Sequence, residues 1–232
     1  MEFVKLIVLF LCFGTFSTSS KLLCKFPAQW QSSVFFDFGL MFTVPTQARA
    51  SGIYYYDYTN NQTRLDLKGI DLAYNQSYDY TYLWKFNEAS VYTIDYINKS
   101  CDREETHGDF WHQWQGVPDK ASLSSHGNIG VSQEHFQQYQ FLKDVDHSDN
   151  EIVAVTIDVK DGDVCPPSRL IMEQYGLDPL GTFAYNYEFL DPTEMIKNPA
   201  VFNNPSNCKN ITTSENVRRN HLIHRRFGPL MG

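Results

Sequence analysis

The side chains able to do chemistry fall into a few groups. His107 and His112 stand near Glu104, Glu105 and Asp109, residue types that bind transition metals. They lack the i, i+4 spacing of a helical zinc motif, so solvated loop residues are the better reading. Two acidic clusters come next: Asp144, Asp146, Asp149 and Glu151, then Asp158, Asp161 and Asp163. Calcium takes about six to eight oxygens, which dense acidic turns can supply, although neither cluster has the central glycine of an EF-hand loop. The first cluster is the candidate calcium site, and no other cofactor is called for. No GxSxG elbow is present and no free cysteine is expected once the chain is mature, so nucleophilic catalysis has no support and the chain reads as non-enzymatic.

The cysteines carry a different message. Met1–Ser20 has a charged start (Lys5), an apolar run Leu6–Phe13 and then small hydroxyl residues, the layout of a secretory signal peptide. Cys12 leaves with it. Cys24, Cys101, Cys165 and Cys208 remain, which in an oxidising compartment implies two disulfides with three possible connectivities. Sequons at Asn61, Asn75, Asn98 and Asn210 agree with export and mark surface turns. The formal net charge of −8, without a basic stripe in the body of the chain, excludes nucleic acid as a partner. The only basic run is the tail Arg218–Gly232 (RRNHLIHRRFGPLMG), which reads as a flexible end.

The elements that must position these groups are strands. From Ser77 to Cys101 the residues Tyr78, Tyr80, Tyr82, Trp84 and Phe86 share one parity, so one face of a strand is a row of aromatic rings. Asn87–Ser90 turns the chain, and Val91–Ile97 returns with Tyr92, Ile94 and Tyr96 expected on the matching face. Ser33–Val44 places Val34, Phe36, Phe38, Leu40, Phe42 and Val44 together; Thr46–Tyr58 and Arg64–Ile70 follow as a pair. Glu151–Lys160 and Thr182–Leu190 alternate clearly, the latter with Phe183, Tyr185, Tyr187 and Phe189 on one side. Val131–Lys143 is read as a strand from its β-rich context, Ser168–Tyr175 as strand or helical turn, and Asp102–Asn128 shows no clear element. Strands at this spacing predict an antiparallel all-β fold of one domain, and its aromatic faces must meet another layer or a ligand.

In order and spacing, these landmarks resemble the ependymin-related family of secreted glycoproteins. The matching pieces are Cys24-x-x-Pro27-x-x-Trp30, the Tyr82–Ile97 hairpin leading to Cys101, Val117-Pro118 with Ile129-Gly130, Ile152–Val159 before Cys165-Pro166, and Asn198-Pro199-Ala200-Val201-Phe202 ahead of Pro205-Ser206-x-Cys208. The resemblance implies an all-β fold with minor helix: two stacked antiparallel sheets forming a half-barrel around a deep hydrophobic pocket, similar to bacterial lipoprotein carriers. It also implies disulfides Cys24–Cys165 and Cys101–Cys208, a homodimer, and residence outside the cell or in the lysosome. The third disulfide of some relatives has neither partner here, which leaves the segment after Cys208 unanchored.

The chain accordingly divides into a signal peptide (1–20), an ependymin-like β domain (21–208) and a tail (209–232). The expected function is lipid binding, to anionic lipids or gangliosides, in a pocket lined by Phe36, Phe38, Leu40, Phe42, Tyr80, Tyr82, Trp84, Phe86, Tyr92, Ile94, Phe183, Tyr185 and Tyr187. An acyl chain gains about 0.8 kcal/mol per buried CH₂, so a long tail needs no catalytic group to be held. The alternative is a calcium-dependent adhesion glycoprotein that docks on extracellular matrix.

Overall fold

The computed structural model describes residues 22–41, 46–72, 74–105, 115–129, 134–146, 149–158, 164–176 and 182–211. In chain order the strands are β1 (Leu22–Lys25), β2 (Gln29–Met41), β3 (Thr46–Asp57), β4 (Gln62–Asp71), β5 (Gln76–Lys85), β6 (Ser90–Asp95) and β7 (Ser100–Glu105). They continue as β8 (Gly116–Pro118), β9 (Ser122–Ile129), β10 (Glu134–Asp146), β11 (Asp149–Asp158), β12 (Pro167–Gly176), β13 (Thr182–Thr193) and β14 (Lys209–Ile211). Two short 3-10 turns, Phe86–Glu88 and Pro199–Phe202, complete the elements.

Twelve strands form one sheet in the order β14-β7-β6-β5-β4-β3-β2-β13-β12-β11-β10-β9, and β1 pairs with β8 in a separate ribbon. All neighbours run antiparallel except β14, which lies parallel to β7. The large sheet is not closed, and the architecture is a half-barrel. The two expected sheets are this large open one and the small ribbon against it. Period-two alternation drives the layering: on β2, Trp30, Val34, Phe36 and Phe38 are buried while Ser33 is exposed and Asp37 half-buried. A lone sheet would leave such a face in water, so this one must coil over its own apolar side.

Gly52 and Gly69 permit that coiling where β3 meets β4. A Cβ on Gly52 would sit 1.7 Å from the Asp66 carbonyl oxygen, and one on Gly69 would sit 2.0 Å from that of Arg49. Only glycine allows so close an approach of neighbouring backbones. The ribbon is fastened to the barrel by the Cys24–Cys165 disulfide, with Cα atoms 5.8 Å apart, and by the Cys165 N–H donating to the Lys25 carbonyl at 2.8 Å. Val117 of β8 and Cys165 belong to the same buried cluster as the aromatic face.

Elements left open by the sequence are now placed. The 131–143 stretch contributes to β10, and Ser168–Tyr175 lies within β12 as a strand. The polar stretch Asp102–Asn128 contributes to β7, β8 and β9. Of these, β9 is a sheet edge with every side chain from Ser122 to His126 exposed, so no apolar period announces it.

Candidate functional site

The inner face is built as rows of cross-strand neighbours. Trp30, Tyr56, Thr63, Trp84 and Val91 follow one another across β2 to β6, and Ser32, Tyr54, Leu65, Tyr82 and Thr93 form the next row. These two rows are packed solid. Trp30, Tyr54, Tyr56, Tyr82 and Trp84 are at most 2% exposed, with ring centroids 5.0 Å apart for Trp30–Tyr54 and 5.6 Å for Tyr82–Trp84. One more row along come Val34, Gly52, Leu67, Tyr80 and Asp95, then Phe36, Ala50, Gly69 and Tyr78.

The face therefore tapers. Where β3 and β4 carried Tyr54, Tyr56 and Leu65 they now carry Gly52, Ala50, Gly69 and Ala48, with Leu67 the one large residue left among them. On one wall Phe36 meets Tyr187 at 4.8 Å and Phe38 meets Tyr185 at 5.1 Å. On the other, Tyr78 and Tyr80 stack at 6.1 Å and are only half-buried, unlike Tyr82 and Trp84 on the same strand. Tyr139 and Phe141 of β10 are likewise half-buried against the core. Toward the end with the β4–β5 turn the rings of β5 become half-buried, while Phe36, Phe38, Ala48 and Ala50 there stay buried.

This interior is apolar apart from Asp95, a buried carboxylate beside Tyr80 on β6. Burial pushes the phenols of Tyr54 and Tyr56 well above their ordinary range, in Tyr54 against a hydrogen bond with Thr63 that pulls the other way, so both stay neutral. Among the described residues the buried indole N–H groups of Trp30 and Trp84 find no acceptor. Such a lining suits hydrocarbon, with a few neutral donors to orient a polar atom.

Of the expected pocket residues, Phe36, Phe38, Tyr82, Trp84, Tyr185 and Tyr187 are brought together in one buried cluster, with Tyr80 and Phe86 packed half-buried against it. Leu40 and Phe183 are backbone neighbours in the β2–β13 ladder. Phe42 lies outside the described residues.

Tyr92 and Ile94 are a correction. The turn Phe86–Ala89 leaves Lys85 opposite Ser90, so even-numbered residues of β5 face odd-numbered ones of β6. Tyr92 consequently sits beside Leu83 and Ile94 beside Thr81, on the outer face. There Leu83, Tyr92 and Phe202 form a second core under the strap 194–211, which Arg64 holds by donating to the Val201 carbonyl at 2.7 Å. The Arg103 guanidinium lies 5.7 Å over the Tyr92 ring, and the Cys101–Cys208 disulfide ties the strap to β7. Both disulfides thus join the pairs that the resemblance implied.

The candidate calcium residues reach one hairpin end, with Asp144 opposite Asn150 and Asp146 opposite Asp149 in the β10–β11 ladder and Glu151 opposite Lys143. Their side chains lie outside the described structure, as do His107, His112 and Asp109. Among the described residues no group of three His, Cys, Asp or Glu converges on a metal-sized site.

The sequon turns share a design that the sequence reading missed. Asp57, Asp71 and Asp95 each end a strand and accept the backbone N–H three residues on: Asn60 at 3.1 Å, Tyr74 at 3.3 Å and Asn98 at 2.9 Å. The residue after that acceptor contact, Asn61, Asn75 or Lys99, is left-handed, with φ of 55°, 50° and 52°. Asp57 also receives Gln29, Gln62 and the Asn60 side chain, and Asp95 receives Ile97 N–H, the Asn98 side chain and the Tyr80 hydroxyl. Burial raises both carboxyls, but these donors outweigh it and hold them below the usual range. The repeated strings DYTNN (57–61) and DYINK (95–99) were the available signal. Asn75, Asn98 and Asn210 are exposed, and Asn61 is half-buried with its Nδ2 donating to Asn87 Oδ1 at 2.9 Å.

Comparison with known proteins adds three findings. A family model described as "Ependymin" matches residues 74–208, more than half of the chain. No curated protein matches it. Among solved structures, an uncharacterized conserved protein from Thermus thermophilus is similar at 10% identity and a TM-score of 0.39, over 80% of this chain and 90% of that one. So distant a likeness carries no argument about activity.

Proposed function

The chain belongs to the ependymin family, and from that premise we propose that it is a secreted, non-enzymatic glycoprotein that binds anionic lipids or gangliosides in the aromatic interior of its half-barrel. One observation carries the reading: along β5 burial falls from Trp84 and Tyr82 to Tyr80 and Tyr78, while the floor beside them thins to Ala48, Ala50, Gly52 and Gly69. That gradient supports an interior filled at one end and receptive at the other. An acyl chain entering there would gain about 0.8 kcal/mol per CH₂, and the neutral phenols leave little charged surface to desolvate.

Two disulfides fit an oxidising compartment, outside the cell or in the lysosome. The sequons fit a glycosylated surface, and the proposed assembly is a homodimer. Delipidated protein should take up fluorescent fatty acid or ganglioside with a one-to-one endpoint. Failure to take up either would refute the reading.

A second reading, calcium-dependent adhesion to matrix, draws on the backbone register that gathers Asp144, Asp146, Asp149 and Glu151 at one hairpin end. Chelation should then abolish attachment to matrix-coated surfaces. Attachment that persists in chelator removes calcium from the account.

A further inference from the structure

Among the described residues the exposed aromatic side chains are three tyrosines, and each lies in one of the Asp-capped turns: Tyr58 (40% exposed), Tyr74 (66%) and Tyr96 (49%). The same turns carry the acceptors Asn61, Asn75 and Asn98. Each ring stands alone on its turn, so what it can do is decided by its immediate neighbours.

The best-defined case is the β6–β7 turn. Tyr96 precedes Asn98 by two residues, and its hydroxyl is fixed by a 3.3 Å hydrogen bond with Thr81 Oγ1. The Asn98 amide is fixed as well, its Nδ2 donating to Asp95 Oδ2 at 2.7 Å. An asparagine that carries a sugar keeps one amide hydrogen, so this bond survives glycosylation and sets the direction in which the sugar leaves. The β3–β4 turn differs: there Asn60 occupies the place of Asn98, and the sequon residue Asn61 stands one position further on, three residues after Tyr58, with its Nδ2 donating to Asn87. A pyranose has a C–H face that is apolar, and an aromatic ring face is the surface that best receives it.

We propose that Tyr96 is a landing platform for the first sugar of the N-glycan on Asn98, so that the glycan finishes the packing of its own turn. Tyr74 is set apart, because it directly adjoins Asn75 and consecutive side chains diverge. The inference rests on the glycoprotein reading, is independent of lipid binding, and assigns the ring to carbohydrate in place of a membrane or protein partner.

The test uses protein secreted from eukaryotic cells with high-mannose glycans, occupancy being read by glycopeptide mass spectrometry. Ser100→Ala removes the Asn98 sequon without touching the turn's hydrogen bonds, and Tyr96→Ser removes the ring. Each should lower Tm by about 2–4 °C, and the double variant should fall no further than the worse single one. Trimming every glycan to its first N-acetylglucosamine should leave Tm unchanged. Lipid uptake should be equal in all forms, which separates this outcome from a failure of the pocket. Additive losses, a Tm drop on trimming equal to that of Ser100→Ala, or an unoccupied Asn98 would overturn the proposal. So would a Tyr96→Ser protein that keeps its Tm but loses binding to phosphatidylserine vesicles.

Discussion

The carboxylate of Asp95 accepts both amide groups of Asn98, the backbone N–H at 2.9 Å and the side-chain Nδ2–H at 2.7 Å. A single acidic side chain so fixes the path of the β6–β7 turn and the aim of its sequon. Asp57 fixes the path of the β3–β4 turn in the same way through Asn60, by a 3.1 Å bond from the backbone and a 2.7 Å bond from the side chain, while the sequon residue there is the next one, Asn61.

These two carboxylates make stability depend on acid. Their folded pKa values lie below the unfolded value of about 3.9, so the stabilisation is fully present above that value and is lost as pH falls through the folded ones. Unfolding free energy should therefore be flat in these groups from neutrality to about pH 5 and decline below about pH 4. Asp57→Asn and Asp95→Asn should flatten the decline in urea melts taken across that range. An unchanged slope in both variants would show that other groups dominate.

The two ends of β5 should respond in opposite ways. Trp84→Ala removes a ring that is 1% exposed and should cost about 3–5 kcal/mol in denaturant melts. Tyr78 and Tyr80 are half-buried nearer the β4–β5 turn. Tyr78→Ala should cost about 1 kcal/mol and instead weaken uptake of labelled fatty acid. Equal stability losses at both positions would contradict the tapering interior.

Raising the floor should close the site while leaving the shell. Ala48 and Ala50 are buried small residues on β3, opposite Phe38 and Phe36. Ala48→Leu should cost about 1–3 kcal/mol of stability through overpacking and should suppress lipid uptake in a protein that still melts cooperatively. Undiminished uptake would place the ligand elsewhere.

The two disulfides should differ in reach and effect. Cys165 is 3% exposed, whereas Cys101 and Cys208 are both half-buried at the sheet edge. Under limiting dithiothreitol, alkylation should appear first at Cys101 and Cys208, as read by peptide mass spectrometry. Replacing that pair with alanine should cost about 2–5 kcal/mol and increase binding of an apolar dye to the uncovered Leu83 and Tyr92.

Much of this was legible from residue types. The long strands β2 to β5 and β13 follow period two because one side of each is buried and the other is not, as with Phe36 beside Asp37. The face of Tyr92 was not legible, because the number of residues in a tight turn decides which parity returns inward, and Phe86–Ala89 reverses it. Edge strands such as β9 carry no apolar stripe, having nothing to bury. Phe202 stands in a stretch with no apolar period, and only the fold shows that it plugs the outer core. The Asp turns were visible as repeated strings but acquire meaning only once their hydrogen bonds are seen.

The sheet never meets its own end: β9 and β14 lie at opposite limits of the order, with no ladder between them. A closed barrel has a girth set by strand number and stagger, and widening it means tearing a seam. An open gutter of the same strands can flare or tighten by a small change of twist spread over many strand pairs, with every backbone bond kept. If the proposed lipid function holds, guests of one, two or more tails could share the same sheet, and the width of the occupant would become a matter of curvature.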